Sequence, residues 1–360
     1  MRWEMTMTNR LRWGILGTGN IARQFAGGVA SAQRSEVVAV GSRSMESAGA
    51  FARAHGIPAA GTSYSALLND PNVDAVYNSL PNSMHHEWTI AALRAGKHVL
   101  CEKPFAVTVA EAQEMFDVAR QCGKLVIEAF MYRCHPLMHA VQEAVADGAI
   151  GQVKFIRTSF CYRTTKVAGN VRFDPSLAGG CLMDVGCYCI NFSRLFAGCE
   201  PSRVTAYAHR HETGVDDMFA GAMEFPNGIL ATFACGMSAQ ADNTATINGT
   251  DGFIEIPVPW KPPAPESTFI IARGTPPKMD GPAKAGTSPR EVVRVRVDGE
   301  LYGIEADAFA ASVFDGAAPW ISEADTLGNT KILSEAAGAF EGSGHGVGEL
   351  LSAKGSSNEV

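Results

Sequence analysis

Over the first 130 residues, apolar positions alternate between two rhythms. Short apolar runs at Leu11–Gly17, Val37–Val40, Asp74–Ser79, His98–Cys101 and Leu125–Ala129 have the length of buried strands. Between them, Asn20–Ala32, Ser44–His55, His86–Ala95 and Val109–Gln121 read as helices, with Met45, Ala48, Phe51 and Ala52 at helical spacing. Gly96 and Gly123 follow the last two helices as stop signals. This alternation predicts right-handed crossovers and a doubly wound parallel sheet.

The pattern changes after Pro136. One helix, Leu137–Ala146, precedes longer β-rich segments at Val153–Tyr162, Val204–His209, Met218–Phe225 and Ile229–Cys235. Phe225-Pro226-Asn227-Gly228 reads as a hairpin turn between the last two. A second, mostly antiparallel open sheet is therefore expected, giving an α/β fold overall. Pro257–Pro289 holds nine of the eighteen prolines and is expected to be a loop or insertion on that sheet rather than core. Residues 304–315 and 323–340 read as closing helices, and 341–360 as a mobile Gly/Ser-rich tail. The expected division is 10–131 for one domain and 132–340 for the other.

At 360 residues the chain is too long for a single core, which agrees with that division. A net charge of −7 argues against general nucleic-acid binding, and the five tryptophans form no stacking stripe. No run approaches the roughly 20 apolar residues of a membrane helix. Met1–Arg10 is polar and lacks the apolar core of a secretory signal, so a cytoplasmic location is expected. The nine cysteines then read as reduced thiols. Cys181, Cys187, Cys189 and Cys199 do not have the spacing of zinc knuckles, and no metal is expected.

Gly17-Thr18-Gly19-Asn20-Ile21-Ala22 has the form GxGxxA at a strand-to-helix junction. The first glycine permits the tight turn, the second admits a pyrophosphate, and the small third residue allows close helix–strand packing. Gly27-Gly28 weakens the helix interior and points to a close packing contact. An acid at the end of the second strand would bind an adenosine 2′-hydroxyl. The sequence has Ser42 and Arg43 there, which suit a 2′-phosphate instead, so NADP is favoured with NAD also admitted.

Glu102, Lys103 and Pro104 end a parallel strand, where open α/β sheets place ligands, and Leu80-Pro81-Asn82-Ser83-Met84-His85 ends the strand expected beside it. With GxGxxA, the Pro-Asn-x-x-His turn and Glu-Lys-Pro in that order, the chain resembles the glucose-fructose oxidoreductase/inositol dehydrogenase/rhizopine-catabolism (Gfo/Idh/MocA) family. Gly179–Tyr188 is similar to its Asp-x-Gly-x-His/Tyr motif, and Ile247–Gly252 to a family turn. Tyr188, with Met131–His135, is most similar to the NADP-using glucose-fructose oxidoreductase branch. The resemblance implies a Rossmann domain followed by an α/β domain whose open sheet forms a substrate wall and a subunit interface, hence a homodimer or homotetramer. It further implies that Lys103 holds the reacting oxygen, Tyr188 is the acid/base, and Asp184 is a substrate-binding or relay aspartate.

Elementary chemistry fits these roles. Asp184, Gly186 and Tyr188 would open a helix, and a lysine cation beside Tyr188 would lower its pKa from near 10. His85 would shape the loop under the nicotinamide. Arg133 reads either as a contact to cofactor or substrate hydroxyl, or as a structural salt bridge. The expected activity is hydride transfer between a nicotinamide and a sugar, polyol or related diol. A glycoside hydrolase working by transient oxidation and a non-enzymatic dinucleotide-binding regulator are the alternatives.

Overall fold

The computed structural model describes residues 9–61, 63–274 and 289–342. In the first half, β1 (Leu11–Leu16), α1 (Asn20–Val29), β2 (Ser35–Gly41), α2 (Met45–His55), β3 (Ala59–Gly61), α3 (Tyr64–Leu68), β4 (Ala75–Asn78), α4 (His85–Arg94), β5 (His98–Glu102), α5 (Val109–Cys122) and β6 (Val126–Ala129) follow in order. Their six strands are all parallel, in the order β3-β2-β1-β4-β5-β6. The chain winds one way from β1 and the other way from β4, so a crevice opens between these two strands at their C-terminal ends. The predicted strands and helices are all present; β3 and α3 are additional.

Local chemistry sets the helix ends. Thr108 and Glu111 form a reciprocal capping box at the start of α5, and Gly123 ends it at φ 61°. The glycine pair in α1 divides its roles. A Cβ on Gly28 would lie 2.7 Å from the Tyr302 Cβ and 2.9 Å from the Gly303 nitrogen, whereas one on Gly27 would meet nothing within 4 Å. Close packing therefore explains Gly28 and not Gly27.

The second half begins with α6 (Pro136–Ala146) and β7 (Val153–Cys161), then α7 (Cys187–Ala197), β8 (Arg203–Arg210), β9 (Asp216–Glu224) and β10 (Leu230–Gly236). It continues through β11 (Ala245–Gly249), β12 (Gly252–Ile256), β13 (Glu266–Arg273) and β14 (Arg290–Arg296) to α8 (Leu301–Asp315) and α9 (Glu323–Gly342). Eight strands form one sheet in the order β14-β13-β12-β11-β7-β10-β9-β8, antiparallel except for the β7–β10 pair. The turn at Phe225–Gly228 closes as predicted, with the Phe225 N–H donating to the Ile229 carbonyl at 2.9 Å.

One expectation is corrected. The proline-rich stretch is not simply a loop, because β13 lies inside it. Ser267, Phe269 and Ile271 of β13 are buried, with Thr268 and Ile270 less so, as the period of a half-buried strand requires. Trp260, also in this stretch, is only 3% exposed. The central part of the stretch and the predicted tail beyond residue 342 lie outside the described residues.

Candidate active site

The crevice between β1 and β4 deepens into a cavity of about 790 Å³. Gly17, Thr18, Gly19, Asn20, Ile21, Ser42, Arg43, Leu80, Pro81, Asn82, His85, Glu102, Lys103, Asp184 and Tyr188 all line it. Residues from both halves of the chain are thus brought to one space.

The glycine turn has the geometry of an anion cradle. Gly17 adopts φ 96°, and its N–H donates to the Gly41 carbonyl at 2.9 Å. Gly19 caps α1 without a side-chain hydrogen bond, and a Cβ there would meet nothing within 4 Å. The first turn of α1 carries no acid. Its N–H groups are therefore open to a negatively charged ligand, and the turn fits a dinucleotide pyrophosphate. Ser42 and Arg43, just after β2, line the same cavity.

Buried polar groups brace the floor. His85 is fully buried, with Nδ1 2.9 Å from the Pro104 carbonyl and Nε2 2.8 Å from the Leu80 carbonyl. It ties the ends of β4 and β5 together. The Tyr77 hydroxyl donates to Glu102, and burial, first among several effects, raises the pKa of the Glu102 carboxyl.

At the deep end, the Lys103 ammonium donates to the Asp184 carbonyl at 2.8 Å and lies 3.5 Å from Asp184 Oδ1. Asp184 Oδ2 accepts from the Tyr162 hydroxyl at 2.6 Å and from Arg172 Nε at 2.8 Å. Burial acts to raise the Asp184 pKa, but Lys103, Arg172 and Tyr162 outweigh it and hold the carboxyl at about 2. Burial likewise opposes the Lys103 charge, and Asp184 leads the neighbours that keep its pKa above the ordinary lysine value. One π-helical turn, Leu182–Gly186, presents Asp184 just before α7 begins. Asp216 of β9 fixes that turn by accepting the Leu182 N–H at 2.7 Å.

Tyr188 departs from expectation in one respect. Lys103 stands over its ring, 5.1 Å from the centroid, and not at its hydroxyl, which contacts Met131 Sδ at 3.4 Å. Burial, then the nearby Glu102, pushes the phenol pKa well above its ordinary value. The lowering expected from the lysine is not found.

Arg133 is a second correction. It does not line the cavity; its Nη1 pairs with Asp325 Oδ2 at 2.9 Å and donates to Asn191 Oδ1 at 3.0 Å. The salt-bridge reading holds, and the arginine is committed to joining the helix-7 region to α9. Tyr162 just past β7, Arg172 in a single 3-10 turn and Lys261 in a loop were missed because no local pattern marks them. Among the described residues, no three His, Cys, Asp or Glu side chains converge on a metal position, and no helix is long and apolar enough to cross a membrane.

Comparison with known proteins agrees with this geometry. Residues 11–130 match the model of an oxidoreductase family with an NAD-binding Rossmann fold, and residues 138–255 match the GFO/IDH/MocA C-terminal domain. The chain belongs to the GFO/IDH/MocA oxidoreductase family. One family relative, trans-1,2-dihydrobenzene-1,2-diol dehydrogenase from Bos taurus, is 38% identical over 268 residues, covering 73% of this chain and 78% of that one. The 3-ketoreductase KijD10 from Actinomadura kijaniata, crystallised with TDP-benzene and NADP, superposes with a TM-score of 0.79 at 29% identity, over 92% of this chain and 98% of its own. Further structures of that ketoreductase carry a lysine changed to alanine or glutamate, or a tyrosine changed to phenylalanine. An aldose-aldose oxidoreductase from Caulobacter crescentus, complexed with glycerol, gives a TM-score of 0.81 at 25% identity, over 93% and 98% of the two chains.

Proposed function

We propose that the protein is an NADP-preferring oxidoreductase acting on a CH–OH or C=O carbon of a sugar, polyol or related diol. The observation that carries this reading is the single cavity that joins the glycine turn and Arg43 to the Lys103–Asp184 pair. The diol dehydrogenase, NADP-bound ketoreductase and aldose oxidoreductase relatives support the same class.

The nicotinamide, when bound, supplies or accepts the hydride. Lys103 donates an N–H to the reacting oxygen and offsets its developing negative charge. Tyr188, holding its proton at neutral pH, donates it to the alkoxide as a carbonyl is reduced. Asp184 fixes the lysine, and its loosely engaged Oδ1 is placed to accept a substrate hydroxyl. Leu80, Pro81, Asn82 and His85, which line the same cavity, would help hold the nicotinamide. Ser42 and Arg43 bind the 2′-phosphate.

Residues 10–131 would serve the cofactor and 132–340 the substrate. A dimer or tetramer through the outer face of the eight-stranded sheet is supported by Tyr207 and Leu230, which are 76% and 52% exposed there. A reducing, cytoplasmic setting, in which the nine cysteines stay free thiols, belongs to the same reading. The test is nicotinamide absorbance with both cofactors against aldoses, polyols, diols and their ketones. Turnover with NADP on one of these classes is expected. Sugar release from a glycoside with no net cofactor change would replace this reading, and a monomeric mass would remove the oligomer.

A further inference from the structure

Lys261 belongs to the second half of the chain yet reaches the helix that carries the glycine turn. Its ammonium donates to Gln24 Oε1 at 2.8 Å, and both side chains line the cavity. Gln24 lies one turn inside α1, close behind the cap at Gly19. The loop that delivers Lys261 is anchored by its neighbour. The Trp260 indole N–H donates to the Ser159 carbonyl at 2.8 Å, and its ring stacks on Phe160 and meets Tyr188 edge-on at 5.9 Å. The position of Lys261 is therefore set by the same aromatic cluster that holds Tyr188.

Among the described residues, four cationic side chains line the cavity: Arg43, Lys103, Arg172 and Lys261. Lys103 and Arg172 are both paired with Asp184. Among the described residues, neither Arg43 nor Lys261 has a carboxylate within ion-pair distance. A phosphorylated dinucleotide is anionic in two places, the 2′-phosphate and the pyrophosphate. Arg43 is at the end of β2, where the first would lie, and Lys261 is beside the start of α1, where the second would lie.

On the reading that the cavity holds NADP, we propose that Lys261 is a cofactor-binding residue that donates to the pyrophosphate opposite the α1 N-terminus. The substrate half of the chain thereby clasps the dinucleotide. The amide of Gln24 holds the ammonium in place until a phosphate oxygen takes over as acceptor. Burial, then the neighbouring Lys103 cation, lowers the Lys261 pKa from its usual value, a penalty that a bound anion would relieve.

The test is equilibrium binding of ADP-ribose, which carries the pyrophosphate without a nicotinamide, and of adenosine 2′-monophosphate, which lacks the pyrophosphate. Lys261→Met is expected to weaken ADP-ribose about tenfold, the scale of one charge-assisted hydrogen bond, with Lys261→Arg recovering most of the loss. NAD and NADP should lose affinity by the same factor, and the 2′-monophosphate should be unaffected. Unchanged ADP-ribose affinity in Lys261→Met would overturn the assignment. So would an equal loss for the 2′-monophosphate, or an effect confined to substrate KM. Failure of the unmodified protein to bind ADP-ribose would overturn the dinucleotide reading itself, and the clasp with it.

Discussion

The Lys103 ammonium rests on the face of the Tyr188 ring, 5.1 Å from its centre. Cation and ring therefore attract each other independently of the hydroxyl. Tyr188→Phe keeps this contact and the edge contacts with Phe130 and Phe160, and removes only the proton-carrying oxygen. It should leave Tm close to the starting value and lower kcat by about a hundredfold or more. Lys103→Met should lower kcat at least as much while dinucleotide affinity stays nearly constant. Near-normal turnover at saturating substrate in either variant would remove that residue from the chemistry.

Arg43 lines the cavity and lacks a carboxylate partner among the described residues. Arg43→Ala should weaken NADP about tenfold or more and leave NAD nearly unchanged. Titration with each cofactor measures the difference. Equal losses would show that the guanidinium does not read the 2′-phosphate.

Two histidines make stability depend on pH. Burial lowers His98 and His135 from 6.5 to about 4. Between these values the unfolded chain binds more protons than the folded one, so stability rises with pH through this window and is lost as pH falls from about 6.5 toward 4. In each, Nδ1 accepts a backbone N–H, from Leu125 and Leu137 respectively, which an asparagine oxygen can replace. The double variant His98→Asn/His135→Asn should show a flatter dependence in urea unfolding between pH 7 and pH 4.5. An unchanged slope would assign the effect to other groups.

The adjacent glycines of α1 should respond with opposite signs. Gly28→Ala forces a Cβ against the backbone of α8 and should cost about 1–3 kcal/mol. Gly27→Ala enters open space on a helix and should gain about 0.5–1 kcal/mol. Denaturation midpoints of the two variants give the comparison directly. Equal shifts would contradict the tight crossing.

The parts of this molecule legible in the sequence are those written in local spacing. Glycines with a strand before and a helix after mark the turn at Gly17, and the Glu102-Lys103-Pro104 strand end marks the ligand side of the sheet. Length limits that kind of reading: β3 has three residues and α3 five, too few for a period to emerge. Composition also masked a real period in β13, whose alternating burial is sound although prolines crowd its approach. Arg133 shows the remaining limit. Nothing local says on which side of the chain its guanidinium will find an acid, and the partner, Asp325, is 192 positions away. Tyr162, Arg172 and Lys261 reach the site through tertiary placement alone.

The Gly28–Gly303 crossing is one part of a larger seam. Asp307 of α8 accepts the N–H groups of Gln33 and Arg34 at 2.7 and 2.9 Å, and Phe309 meets Trp13 of β1 with ring centres 5.0 Å apart. Trp13 is fully buried, and part of its cover comes from a helix nearly three hundred positions along the chain. The nucleotide half is thus not a detachable cassette. Cut out at residue 131, it would lose the lid over its largest buried side chain, and a hybrid carrying this half would have to bring α8 along with it.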